Sequence, residues 1–222
     1  MRSRSVGRVV LSGTADIASV PASLAADWER EVLRLGLQAG DVEELSLARA
    51  CIRWPQVRKY EQAVSDWTRA IGLESVPGAS DGALMVCRGA RYHHDGDQYG
   101  GAAFCNLFLS EDKGLDLHFP GAGRRIALTR GTVVVFDTGQ PHAVVERRHD
   151  GFDAGDFPDG RDCTQVFLTW ELPVESAPVA GALGITFDTT PWRPLPVHEE
   201  GLWQHGAPAR VCPLSGRWLR CS

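Results

Sequence analysis

The stretch Arg91–Asp97 reads RYHHDGD, and the triplet Gln140-Pro141-His142 follows far downstream. His93 and Asp95 form a His-x-Asp pair, and His142 offers a second imidazole. Two imidazoles and one carboxylate on one face of an octahedron hold a non-haem Fe(II). The opposite face stays open to a bidentate co-substrate and O2, which is oxygenase chemistry. Residues i and i+2 of a strand project to the same face, so His93 and Asp95 are expected together and His94 opposite them. The rival pair His94 and Asp97, three apart, works only where the strand has ended.

Such a site needs a rigid scaffold, and residues 83–172 read as a series of strands. The expected strands are Ala83–Tyr92, Ala102–Leu109, Leu115–Phe119, Arg125–Thr129, Thr132–Asp137, His142–Arg148 and Cys163–Leu172. Turn signals separate them, among them Gly100-Gly101, Pro120–Gly123, Arg130-Gly131 and Gly139–Pro141. Short strands at near-regular spacing, with no helices alternating between them, imply a β-sandwich or jelly roll and exclude a doubly wound parallel sheet.

Residues 22–72 read as helical. Leu24, Trp28, Val32 and Leu35 recur at helical spacing and Gly36 marks a stop. Asp41 as cap and Glu44 in a capping box predict a second helix over Val42–Cys51. A third is predicted from Pro55, with Val57, Tyr60, Val64, Trp67 and Ile71 on one face. Asp150–Asp162 is rich in Gly and Asp and is expected to be a mobile loop able to act as a lid. The Pro- and Trp-containing stretch from 173 to 222 is expected to wrap the barrel. The domain reading is therefore one integrated unit: a helical region at 1–82, a β core at 83–172 and an extension at 173–222.

Composition narrows the partners. The chain has 222 residues, 43% of them hydrophobic, a net charge of −5 and scattered arginines, so no basic surface for nucleic acid is indicated. No run of 18 apolar residues suggests a membrane span, and the basic start has too short an apolar run for a signal peptide. A cytoplasmic location and a small-molecule substrate are the expectations. The six cysteines include no Cys-x-x-Cys pair; Cys105 and Cys163 read as buried hydrophobes, Cys212 and Cys221 as free thiols. Gly121-Ala-Gly123 precedes a strand and reads as a turn. Tyr92 and Tyr99 flank the His-x-Asp pair as pocket-lining or packing residues, and His118 shares a strand face with Asp116.

The order of these pieces resembles the Fe(II)- and 2-oxoglutarate-dependent oxygenase family, in particular its prolyl-hydroxylase-like branch. The residues that carry the resemblance are the His-x-Asp pair, Asn106–Leu109, the Gly114–Pro120 segment, Gly131–Phe136 and Pro141-His142. It covers roughly 83–172 and implies a mainly β fold, the double-stranded β-helix, with helices packed on the sheet and an irregular C-terminal extension. It implies Fe(II) on His93, Asp95 and His142, with 2-oxoglutarate and O2 as co-substrates and ascorbate as an accessory reductant. Succinate and CO2 are then the by-products, and an unactivated C–H of a small molecule or amino-acid-like substrate is hydroxylated. Retention of Asp95 favours hydroxylation or a related oxidation over halogenation.

One departure concerns the far carboxylate of the co-substrate, which relatives hold with a basic residue on the last strand. Alignment through Leu168-Thr169 puts Gln165 there. Arg161, with the same strand parity, is the nearest basic candidate; Arg148 and Arg125 are others. A neutral amide forms no charged bidentate pair with a carboxylate. Two other functions are therefore weighed: a double-stranded β-helix metalloenzyme that does not use 2-oxoglutarate, and a non-catalytic jelly-roll binding module.

Overall fold

The computed structural model describes residues 4–45, 54, 57–73, 82–187, 196–198, 201–204 and 207–219. Two antiparallel sheets face each other. The larger has six strands in the order β2 (Leu11–Thr14), β9 (Thr132–Asp137), β6 (Ala102–Phe108), β11 (Thr164–Pro173), β4 (Gly82–Arg88) and β3 (Val42–Leu45). The smaller runs β5 (Ala90–His93), β10 (His142–Glu146), β7 (Leu115–Phe119) and β8 (Arg124–Ala127). This is the jelly roll of a double-stranded β-helix, mainly β with helices on one side.

Both faces of the large sheet are covered, which is why its strands are apolar almost throughout. On β11, Val166, Leu168, Trp170 and Leu172 belong to a core shared with the helices, and Phe167 belongs to the core between the sheets. On β6, Cys105 and Leu107 face the helices while Phe108 faces inward. Helix α1 (Ala22–Leu35) brings Leu24 and Trp28, and helix α2 (Val57–Ala70) brings Val57, Tyr60 and Val64. Trp54 fills the space between them, its ring 5.4 Å from Trp28 and 4.8 Å from Tyr60. Each fully buried Leu or Phe in these layers contributes about 1.5–3 kcal/mol.

Three expectations need correction. Val42–Leu45 is not helical: it is edge strand β3, with Val42 opposite Cys87 and Leu45 opposite Leu84. Pairing satisfies the free edge of β4, and that gain outweighs local helix propensity. The Asp41 carboxylate accepts from the Gln38 backbone N–H and closes a turn rather than capping a helix. The remainder of the expected helix, 46–51, lies outside the described residues, as does Cys221.

The single strand expected at Ala83–Tyr92 is two strands. Gly89, at φ 67°, breaks it and carries the chain from the large sheet to the small one. Only glycine adopts that conformation without penalty, and the Phe157 ring lies where a Cβ would stand. This crossing delivers His93 to the small sheet. Phe157 comes from the 150–162 segment, which is docked rather than loose. Phe152 and Phe157 are buried and stacked at 5.5 Å, and Arg88 donates to the Phe157 and Pro158 carbonyls.

The extension forms a helix at Ala177–Leu183 and a small sheet of β12 (Pro196–His198), β13 (Gly201–Gln204) and β14 (Ala207–Pro208) with N-terminal strand β1 (Arg4–Ser5).

Candidate metal centre

His93 is the last residue of β5 and His142 the first of β10. The two strands pair antiparallel with these residues directly opposite each other, and the register shifts immediately after. Their rings lie 4.4 Å apart. Asp95 sits just past the strand, at φ −103° and ψ 6°, where it opens the short helix α3 (Gly96–Tyr99). Its convergence with His93 therefore owes to this turn and not to the strand alternation that predicts it. The backbone N–H of Asp95 donates to the Thr138 carbonyl at 2.8 Å. Its carboxylate oxygens lie 3.6 Å from His93 Nε2 and 3.5 Å from His142 Nε2. One ligand atom from each of the three residues falls within 4.8 Å of the others.

The protonation of the rings follows from their outer partners. His93 Nδ1 is 2.7 Å from the Arg91 carbonyl, and His142 Nδ1 is 3.0 Å from the Gln140 carbonyl. A carbonyl only accepts, so both Nδ1 atoms carry a proton and both Nε2 atoms face Asp95, the arrangement that orients metal-binding histidines. Burial first, and then the neighbouring His93 ring, bring the pKa of His142 down to about 4. The ring is neutral at pH 7 and available as a ligand.

A buried ion pair fixes the segment ahead of His142. Arg4 and Asp137 are both fully buried and meet in a bidentate pair at 2.7 and 2.9 Å. Asp137 also accepts from the backbone of Gly7 and Gly139, and Arg4 donates twice to the Gly100 carbonyl. Thr138 Oγ1 donates to the carbonyls of Tyr99 and Ala102. The turn at 138–141 is thus tied to α3, and with it His142 to Asp95. Sequence reasoning misses Arg4, which stands in a polar RSRS stretch. The available clue is Asp137, an acid ending the apolar run VVVF and hence in need of a cation.

His94 turns away, with Nε2 3.3 Å from the Ala209 carbonyl and its ring 5.4 Å from Trp218. His118 meets the Tyr92 hydroxyl, while Asp116 is taken by Arg147 and Arg125.

His93, Asp95 and His142 open onto a cavity of about 190 Å³ between the sheets. Phe104, Phe108, Phe136, Phe167 and Leu117 make it apolar, Asn106 and Thr169 are hydrogen-bonded to each other on one wall, and Glu44, Tyr99 and Glu171 also line it. Burial and the nearby carboxylates of Glu171, Asp95 and Glu44 push the Tyr99 hydroxyl pKa upward. Among the described residues no lysine or arginine lines this cavity.

That bears directly on the two co-substrate residues. Arg161 is exposed and donates to the Lys113 carbonyl at 3.2 Å, away from the cavity, because the docked 150–162 segment turns it over the start of β7. Arg125 donates to the Glu146 and His149 carbonyls, and Arg148 is exposed. Gln165 is fully buried, and neither its amide oxygen nor its amide nitrogen has a hydrogen-bond partner. It shares its strand face with Phe167, Thr169 and Glu171, all of which line the cavity, and it pairs with Cys87, which does too.

No protein-family model and no curated protein matches this chain. Solved structures do. Prolyl 4-hydroxylase from Phytophthora capsici is 16% identical over 77% of this chain and 60% of its own, with a TM-score of 0.44. This chain thus spans about three fifths of that protein. The viral collagen prolyl hydroxylase from Paramecium Bursaria Chlorella virus-1, in a 2OG complex, is 12% identical over 73% of this chain and 94% of its own, with a TM-score of 0.41. The non-heme alpha ketoglutarate dependent epimerase SnoN is 12% identical over 94% and 92%, with a TM-score of 0.40.

Proposed function

We propose that this chain is a non-haem Fe(II)-dependent dioxygenase that uses a 2-oxo acid of the 2-oxoglutarate type and hydroxylates a small molecule. The observation that carries the reading is the meeting of His93, Asp95 and His142 on one side of an apolar cavity. The donor set fits iron: two imidazoles whose Nε2 atoms face inward and one carboxylate, leaving the cavity side free. A chelating 2-oxo acid fits the same cavity, and the orphaned amide of Gln165 stands next to its lining, on the strand face of Phe167 and Thr169 and opposite Cys87.

Bound iron would supply the activation of O2, coupled to decarboxylation of the 2-oxo acid. The residues of the chain do the rest. The carbonyls of Arg91 and Gln140 fix the two rings, and the Arg4–Asp137 pair fixes the turn that carries His142. The phenylalanine walls exclude water, which strengthens every polar contact inside and protects a reactive centre. Tyr99, Glu44 and Glu171 share the cavity with the metal side and offer hydrogen-bonding groups to a substrate.

The test is turnover of 2-oxoglutarate to succinate with Fe(II), O2 and ascorbate, accelerated by substrate candidates. Stoichiometric iron binding without any consumption of a 2-oxo acid rejects the reading. One observation favours the second reading, a metalloenzyme of this fold that uses no 2-oxo acid: the absence of a cation from the cavity lining among the described residues. That reading expects iron binding with no 2-oxo acid chelation.

A further inference from the structure

Gln165, buried beside the lining residues Cys87 and Phe167, is the anomaly next to this cavity. Buried amide groups are almost always hydrogen-bonded, and leaving both ends of one unpaired in a packed interior is costly. Its neighbours on the cavity side offer little relief. Phe108 and Phe167 pack together at 5.2 Å and carry no polar atoms, and the Cys87 thiol already receives the Gln165 backbone N–H. The nearby cations are engaged on the outside: Arg88 with the Phe157 and Pro158 carbonyls, Lys113 with Asp162, and Arg161 with the Lys113 carbonyl. The charged groups that do line the cavity are acids: Glu44 and Glu171, besides the metal ligand Asp95.

A carboxylate brought to this end of the cavity would lose its water without meeting a counter-charge, since no lysine or arginine lines it among the described residues. A primary amide, in contrast, matches an uncharged polar group, donating through its nitrogen and accepting through its oxygen. We propose that Gln165 selects a 2-oxo acid whose far end is uncharged and hydrogen-bonding, in place of the dianion 2-oxoglutarate. The inference rests on the oxygenase reading above and names the co-substrate class for that same site; Gln165 is its specificity-determining residue.

The experiment is anaerobic titration of the full chain loaded with one equivalent of Fe(II), following the visible charge-transfer band of a chelated 2-oxo acid. Three probes share the chelating end and a similar length: 2-oxoglutarate, its 5-methyl ester and 2-oxohexanoate. The ester should bind at least about tenfold more tightly than either other probe, the factor that one well-made hydrogen bond to a buried group supplies. Gln165→Arg should reverse the order in favour of the dianion, and Gln165→Leu should bring the ester down to the level of 2-oxohexanoate. Equal or tighter binding of 2-oxoglutarate by the unaltered protein overturns the inference and leaves the oxygenase reading intact. Bound iron with no charge-transfer band for any probe overturns both.

Discussion

Two regions of the space between the sheets, the His93–Asp95–His142 cluster and the wall at Gln165, are built on opposite principles. At the histidine cluster each imidazole Nδ1 is held by a carbonyl, and Asp95 is anchored through its backbone to Thr138. At the wall beside the cavity, Gln165 has no partner for either amide atom. The first region is preorganised, its rings oriented by the backbone. The second is unsatisfied and stable only because the surrounding sheet holds it. A binding site thus shows itself in two ways, by lone pairs that converge and by buried polar groups that the fold leaves unanswered.

The sharpest way to break this comparison is at the metal end. His93→Ala, Asp95→Ala and His142→Ala should each remove stoichiometric Fe(II) binding and abolish iron-dependent oxidation, with the β-sheet circular dichroism unchanged. His94→Ala should keep both, since that ring faces Ala209 and Trp218. Iron retention by the Asp95 variant together with iron loss by the His94 variant would reassign the site.

The next largest effect lies behind the ligands. Arg4→Ala leaves Asp137 as a buried carboxylate without its cation, and breaking a buried pair in this way costs about 3–5 kcal/mol. Urea unfolding should report that loss, and iron affinity should fall because the turn carrying His142 is released. A loss under 1 kcal/mol would mean that Arg4 does not position the site.

Arg4 also marks where sequence reading stops. The three residues that converge were legible because their chemistry is local: a His-x-Asp pair, a Pro-His at a strand start and apolar alternation over the strands between them. The jelly roll was legible from the same alternation. What escaped depends on contacts across the chain. Nothing around Arg4 announces Asp137, and Val42–Leu45 carries a helix cap yet pairs with β4 because that edge stands open. The position of Arg161 depends on how Phe152 and Phe157 dock their segment, which no spacing rule encodes.

The sheet-crossing glycine gives a third and smaller test. Gly89→Ala forces a side chain into a left-handed backbone position and against the Phe157 ring. A cost of about 2–3 kcal/mol is expected, from the backbone penalty and the overpacking together. Thermal unfolding would measure it. Because Gly89 sets the angle at which β5 leaves the large sheet, iron affinity should weaken as well. Unaltered stability would show that the crossing tolerates an ordinary residue.

The smallest expected change has the opposite sign. Gln165→Leu removes two unpaired polar atoms and keeps nearly the same volume, so the packing of Phe108, Phe167 and Cys87 is preserved. Deleting both ends of an unmade hydrogen bond in a core is neutral to stabilising, here by about 1 kcal/mol. For a chain of this size that raises the melting temperature by about 2–4 °C. A residue retained only for packing would show no functional cost in exchange. The charge-transfer titration decides the matter, because a more stable variant that no longer distinguishes a polar from an apolar 2-oxo acid tail has lost a recognition group. A variant that is destabilised, and that discriminates as before, means that the amide of Gln165 is satisfied within the fold and reads no ligand.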